Sequence, residues 1–280
     1  MLNGFQIRYL KSEKYRSSKK KKILFIHGLG SSSDRWGDIP DALSRYFYPI
    51  VAVDLLGFGS SDKPVTLEYT IENFSKFITD VIACKRIWKN DSIDSDGEGD
   101  DNYKTTIIGH SLGGYIAAKA AIDDQDLIEK LVLIDSSGML NEPTPILEQY
   151  LNAALNPSFE NVKSVFEKML GNPTLLNSTL IDGFIKRIKL TGAKHAFESA
   201  FENSTKKHIE ISELQSIDNI PALIIWGAID NVIPVTHSKQ FKEIFKNSNL
   251  QIIENTGHAP FSEKPSIVFD MIRIFLTNNR

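Results

Sequence analysis

Apolar positions along the chain follow two alternating rhythms. Short runs at 23–26, 49–53, 131–134 and 222–226 have the apolar pattern of buried strands, 105–108 is β-favouring, 250–253 reads as a further strand, and 5–10 alternates like a short strand of its own. Between them the spacing turns helical. Trp36, Ile39, Leu43 and Phe47 share one face of 34–47, and Phe74, Phe77, Ile78, Val81 and Ile82 share one face of 71–88, which Thr70 caps. Segments 115–121, 236–245 and 265–276 read the same way. Buried strands separated by helices predict a mostly parallel sheet with helices on both faces, and such sheets bind ligands at the carboxyl ends of their strands.

The rhythm breaks twice. Residues 90–102 carry Asp91, Asp94, Asp96, Glu98, Asp100 and Asp101 with two glycines, which predicts an exposed acidic loop. A calcium loop begun at Asp91 would place Asn102 where glutamate is needed, and no helix is expected to follow. The second break, 139–219, has no strand signal. Helical segments at 148–155, 159–170, 179–190 and 193–201 are punctuated by Pro157, Gly171 and Pro173. Ile146, Leu147, Phe166, Met169, Leu175, Phe184, Phe197 and Phe201 need a surface beneath them, so this tract is expected to fold back over the sheet edge where the loops gather. The division is therefore a core of 1–138 and 220–280, a helical cap of 139–219, and the acidic loop.

Composition narrows the function classes. With 41% hydrophobic and 24% charged residues and a net charge of -3, nothing favours nucleic acid or an anionic membrane as partner. The basic run at 19–22 reads as a solvated edge. The single cysteine, Cys84, excludes an intrachain disulfide and a cysteine metal site, and its apolar surroundings predict a buried helix residue. No signal peptide and no membrane-spanning run is seen, so a cytoplasmic location is expected.

The chemistry centres on Gly109-His110-Ser111-Leu112-Gly113-Gly114, between a strand and an Ala-rich helix. Two glycines around a serine permit a very tight strand-to-helix turn that lifts the hydroxyl clear of the sheet, with the first N–H groups of the helix pointing back at it. A serine needs a base, and the base an orienting carboxylate. Of six histidines, His195, His208 and His237 fall in helical or polar stretches suited to the surface. His110 would point away from Ser111, and His27 suits bracing a loop. His258, after the last strand and beside Gly257, is the candidate base. Asp230 and Asp135 each end a strand and compete to orient it.

These motifs, with His27-Gly28-Leu29-Gly30, Asp54 to Ser61, Trp226 to Pro234, and Gly257-His258-Ala259-Pro260 followed by Glu263 and Pro265, resemble the α/β-hydrolase fold family, specifically its lidded single-domain serine hydrolases. The resemblance implies an α/β fold with a mostly parallel eight-stranded sheet flanked by helices and an inserted helical cap. It implies Ser111 as nucleophile, His258 as base, Asp230 as acid with Asp135 the minority alternative, and the backbone N–H groups of Leu29 and Leu112 as oxyanion donors. Asp54 and its glycines would be structural. Neither metal nor organic cofactor is expected, and a serine at 111 sets aside carboxylate-nucleophile relatives such as epoxide and haloalkane hydrolases. The expected reaction is hydrolysis, by water, of a small-molecule ester. An apolar cap, with Arg187 at a spacing suited to solvent, favours small to medium uncharged acyl groups. Lactonase and proline iminopeptidase activities are the alternatives, the latter through Glu148, Glu198 or Glu202; a ligand-binding receptor on this scaffold is the non-enzyme alternative.

Overall fold

The computed structural model describes residues 1–12, 20–88 and 104–278. The acidic loop at 90–102 lies outside the described residues. Strands β1 (Tyr9–Ser12), β2 (Lys20–Ile26), β3 (Tyr48–Val53), β4 (Thr105–His110), β5 (Ile128–Ile134), β6 (Ala222–Gly227) and β7 (Ser248–Ile253) form one sheet in the order β1-β3-β2-β4-β5-β6-β7. Only the β1–β3 pair is antiparallel.

The described residues thus hold seven strands, not the eight implied by resemblance. Ahead of β1 the chain reverses at Asn3 and Gly4, with φ of 50° and 87°, and forms only the isolated bridge Leu2–Phe5. The strand expected at 5–10 also starts later, because Gln6 and Arg8 use their carbonyls on the loop after β3, accepting from Asp62 N at 3.0 Å and Asp54 N at 2.9 Å.

The period of two along the strands sends alternate residues to two hydrophobic layers. Leu24, Ile26, Val51, Val53, Leu131, Leu133 and Ile224 face α2 (Ile71–Ala83) and α4 (Leu112–Asp123). Ile23, Phe25, Ile50, Ala52, Val132 and Ile225 face Trp36, Phe47 and the closing helix. Two helical expectations need correction. Segment 34–47 is a 3-10 turn (Ser33–Trp36) and a short α1 (Ile39–Leu43), parted by Gly37 at φ 56°. Helix 71–88 breaks at Cys84, whose ψ of 92° is extended, before α3 (Lys85–Trp88); Cys84 is a half-buried cap residue rather than a buried helical one.

Between β5 and β6 the chain builds α5 (Pro145–Leu155), α6 (Phe159–Met169), α7 (Ser178–Ile188), α8 (Ala193–Thr205) and α9 (Ile211–Gln215). Side chains of Thr144, Ser158 and Asn177 cap α5, α6 and α7. Tyr150, Phe166, Phe184 and Phe197 meet ring to ring, with centroids 5.0–6.3 Å apart, and this aromatic cluster is continuous with the core on the α2/α4 face. After β6 come α10 (Thr236–Ile244), α11 (Pro260–Glu263) and α12 (Pro265–Thr277). No helix among the described residues is long and apolar enough to cross a membrane.

From β2 the chain passes to β3 on one side, then returns to place β4 on the other. A crevice therefore opens between the carboxyl ends of β2 and β4.

Candidate active site

Ser111 follows β4 directly and caps α4 with φ 53° and ψ -120°. For a residue with a Cβ this is a strained conformation, retained because three bonds over-determine it. Ser111 N donates to Ile134 O at 3.0 Å, while Gly114 N and Ser137 N donate to Ser111 O at 2.9 and 3.1 Å. The flanking glycines have a sharper reason than proximity to serine. A Cβ on Gly109 would strike Gly113 O across the turn, and one on Gly113 would strike Ile26 O of the neighbouring strand. Leu112, the first residue of α4, has no intrahelical carbonyl for its N–H.

His258 stands on the loop after β7 and is buried, like Ser111, except toward a shared cavity. Its Nδ1 lies 2.8 Å from Asp230 Oδ2. Asp230 Oδ1 in turn accepts from Val232 N at 2.7 Å and Ile233 N at 3.1 Å, so the carboxylate is held from both sides. Asp135, the rival acid, makes no such bond to His258. Its Oδ1 accepts from Gly227 N at 2.8 Å, and its Oδ2 is buried without a hydrogen-bond partner among the described residues. Burial first, and the neighbouring Asp230 second, push the Asp135 carboxyl well above its ordinary range, toward its neutral form.

The remaining histidines behave as expected, with one addition. His27 is buried, its Nδ1 2.8 Å from Gly28 O and its Nε2 accepting from Leu55 N at 3.1 Å, so it braces the loop carrying Leu29. His195 and His208 are exposed and His237 is half-buried. His110 points its Nε2 at His258 O (2.7 Å) and packs its ring against His258 and Phe261. Burial, then the nearby His258, hold it well below its usual value, so it is a neutral buttress. His110, Asp135 and His258 bring one ligand-type atom each within 4.8 Å of one another. Asp135 Oδ1, His258 Nδ1 and His110 Nε2 are already engaged with Gly227 N, Asp230 Oδ2 and His258 O.

Asp54 is structural, as expected. Its Oδ1 accepts from Ser33 N and Oγ at 2.7 and 2.6 Å, and its Oδ2 from Ser60 N at 2.8 Å and Arg8 Nη1 at 3.2 Å. It ties the turn at 57–61 to the loop after β2.

The cavity measures about 390 Å³ and is lined by Ser111, His258, Leu29, Leu147, Tyr150, Phe166, Met169, Leu175, Phe184 and others. The apolar residues of 139–219 thus do fold over the loop edge of the sheet. Arg187 does not face solvent. It lies in the last turn of α7 and lines the cavity, with Nε enclosed and without a hydrogen-bond partner among the described residues. Helical spacing identifies residues off the apolar face of α7 but not that the edge of that face overhangs a pocket. Arg35, also lining the cavity, escaped notice in the sequence, although it follows the His27-Gly28-Leu29-Gly30 loop at the end of a strand. Glu148, Glu198 and Glu202 are exposed and do not line it.

The family model described as "Alpha/beta hydrolase family" matches residues 23–271. The chain belongs to the alpha/beta hydrolase family. This hydrolase is 30% identical over 267 residues to a pimeloyl-[acyl-carrier protein] methyl ester esterase of Wigglesworthia glossinidia brevipalpis, covering 91% of the chain and 93% of the relative. It is 27% identical over 290 residues to an uncharacterized hydrolase, YugF, of Bacillus subtilis strain 168, at 98% and 96% coverage. A meta-cleavage product hydrolase of Pseudomonas fluorescens IP01 superimposes with a TM-score of 0.83 at 19% identity, covering 98% of this chain and 95% of that one, a likeness of fold.

One further contact distinguishes the hydrolase's site. Glu263, quoted in the sequence only as part of a motif, is buried on α11. Its Oε1 accepts from Gly257 N at 2.9 Å, and its Oε2 from Gly171 N and Asn172 N at 2.9 and 3.1 Å. His258 N donates to Met169 O at 2.8 Å. The approach requires glycine, because a Cβ on Gly257 would strike Met169 O. The His258 loop is therefore stitched, backbone to backbone, to the chain leaving α6.

Proposed function

We propose that this alpha/beta hydrolase is a serine esterase that cleaves carboxylic esters of small to medium acyl groups through an acyl-enzyme. The observation that carries the reading is the 2.8 Å His258–Asp230 bond at a cavity that Ser111 also lines. His258 Nε2 takes the Ser111 proton as Oγ attacks the carbonyl carbon. The oxyanion that forms is met by the N–H groups of Leu112 and Leu29; among the described residues neither donates to another group. Loss of one such donor typically costs roughly 10²–10³ in turnover. His258, charged and paired with Asp230, then gives its proton to the departing alkoxide oxygen, and water repeats the sequence on the acyl-enzyme.

A second reading, hydrolysis of an enol-lactone or a carbon–carbon bond, draws support from the basic residues Arg35 and Arg187 in the cavity and from the meta-cleavage fold neighbour. The iminopeptidase alternative loses its footing, since the three glutamates that would hold an amine are outside the cavity. The deciding measurement is turnover of p-nitrophenyl acetate and butyrate by wild type and Ser111→Ala. The esterase reading expects hydrolysis that falls by more than roughly 10⁴-fold in the variant; absence of serine-dependent turnover on both esters would overturn it.

A further inference from the structure

The cavity walls are mostly apolar, yet two guanidinium groups enter them. Arg35 comes from the core, in the turn after β2, and Arg187 from the cap, at the end of α7. Both act electrostatically on Tyr150, whose hydroxyl donates to Leu29 O at 3.0 Å. Neither has an acidic partner among the described residues. Arg35 has a long contact of 3.4 Å to Ser262 Oγ, and Arg187 Nε has none. The acids nearby are already committed. Asp34, which also lines the cavity, has its two oxygens held by Arg8 at 2.7 and 2.8 Å, and Asp54 is held by Arg8, Ser33 and Ser60. Three cations thus face two carboxylates. Burial, and for Arg35 the neighbouring charge of Arg187, lower the proton affinity of both cavity arginines. Enclosing two unpaired like charges is costly unless something of opposite sign joins them.

We infer that Arg35 and Arg187 form an anion subsite, and that the preferred substrate carries a carboxylate several bonds from its scissile carbonyl, clasped between core and cap. A planar carboxylate offers two oxygens to the guanidinium fork, which a neutral acyl tail cannot do. This revises the expectation of an uncharged acyl group and rests on the serine-hydrolase reading only for the bond that is cut. An anion held by both arginines would also draw α7 toward the core and close the roof over Ser111.

Matched methyl esters test it: monomethyl succinate, adipate and suberate against methyl butyrate, hexanoate and octanoate, each pair differing only by a terminal carboxylate for a methyl. At least one half-ester is expected to exceed its neutral partner about tenfold or more in kcat/KM. Arg187→Gln and Arg35→Gln should each cut that ratio about 10–100-fold, the loss of a charged hydrogen bond. Neutral esters preferred throughout, or a ratio unmoved by both variants, overturns the subsite. Calorimetry of adipate dianion on Ser111→Ala separates the two readings. Arginine-dependent binding without turnover of any ester leaves the subsite standing and removes the hydrolase. Serine-dependent turnover of neutral esters with no adipate binding does the reverse.

Discussion

Asp230 and Asp135 end adjacent strands of one sheet, but only Asp230 bonds His258. That contact, Asp230 Oδ2 to His258 Nδ1, gives the two acids opposite expected phenotypes. Asp230→Asn should lower kcat by roughly 10³–10⁴, because the amide favours the wrong imidazole tautomer. Asp135→Asn keeps the acceptor for Gly227 N and mimics the protonated acid, so kcat within a few-fold of wild type is expected. A loss confined to Asp135→Asn would reverse the assignment. Stability should separate them too. The Asp135 carboxyl holds its proton in the folded state after the unfolded chain, with a value of about 3.9, has released it. This contribution is therefore fully present below the unfolded value and is lost as pH rises above it toward the raised folded one. Asp135→Asn lacks that slope, so thermal melts from about pH 4 to pH 8 should show its Tm gaining on wild type as pH rises. The sequence could name both acids but not choose, since each closes a strand with the same local signal. Only the packing of the β7 loop against β6 brings His258 to one of them.

At the scale of elements, strands such as β2 and β6 were legible because burial on both faces leaves apolar runs. The inserted helices were legible from helical spacing punctuated by Pro157, Gly171 and Pro173, while the caps at Thr144, Ser158 and Asn177 emerge from the structure. What periodicity could not reveal is which edge of α7 overhangs the cavity, or that α11 ties the cap to the His258 loop through Glu263. Replacing Glu263 by alanine strands three N–H groups, of which the buried one, Gly257 N, costs about 1–3 kcal/mol when unpaired. Glu263→Ala should lower Tm and should also lower kcat more than it raises KM, because the loop it frees bears the proposed base. A Tm loss with kcat untouched would confine the glutamate to folding. Gly257→Ala should give the same pair of losses by driving the loop off Met169 O.

Over the whole molecule, the inserted helices and one face of the sheet share a single continuous hydrophobic layer, in which Tyr150, Phe184 and Phe197 belong to the same cluster as Leu24, Val53 and Leu133. The absence of strand signal over 139–219 is read from the sequence, but so extensive a shared core is a property of packing. It predicts one unfolding event. Fluorescence of Trp36, Trp88 and Trp226, all outside 139–219, should report the same urea midpoint as hydrogen exchange on α5 to α8. Two separated midpoints would make the insertion an independent unit. The Met169–His258 bond adds a mechanical restriction on how substrate enters. A roof that lifted at α6 would pull on the backbone of His258, the proposed base, each time it opened. Admission of substrate that spares His258 therefore leaves the α6 end in place.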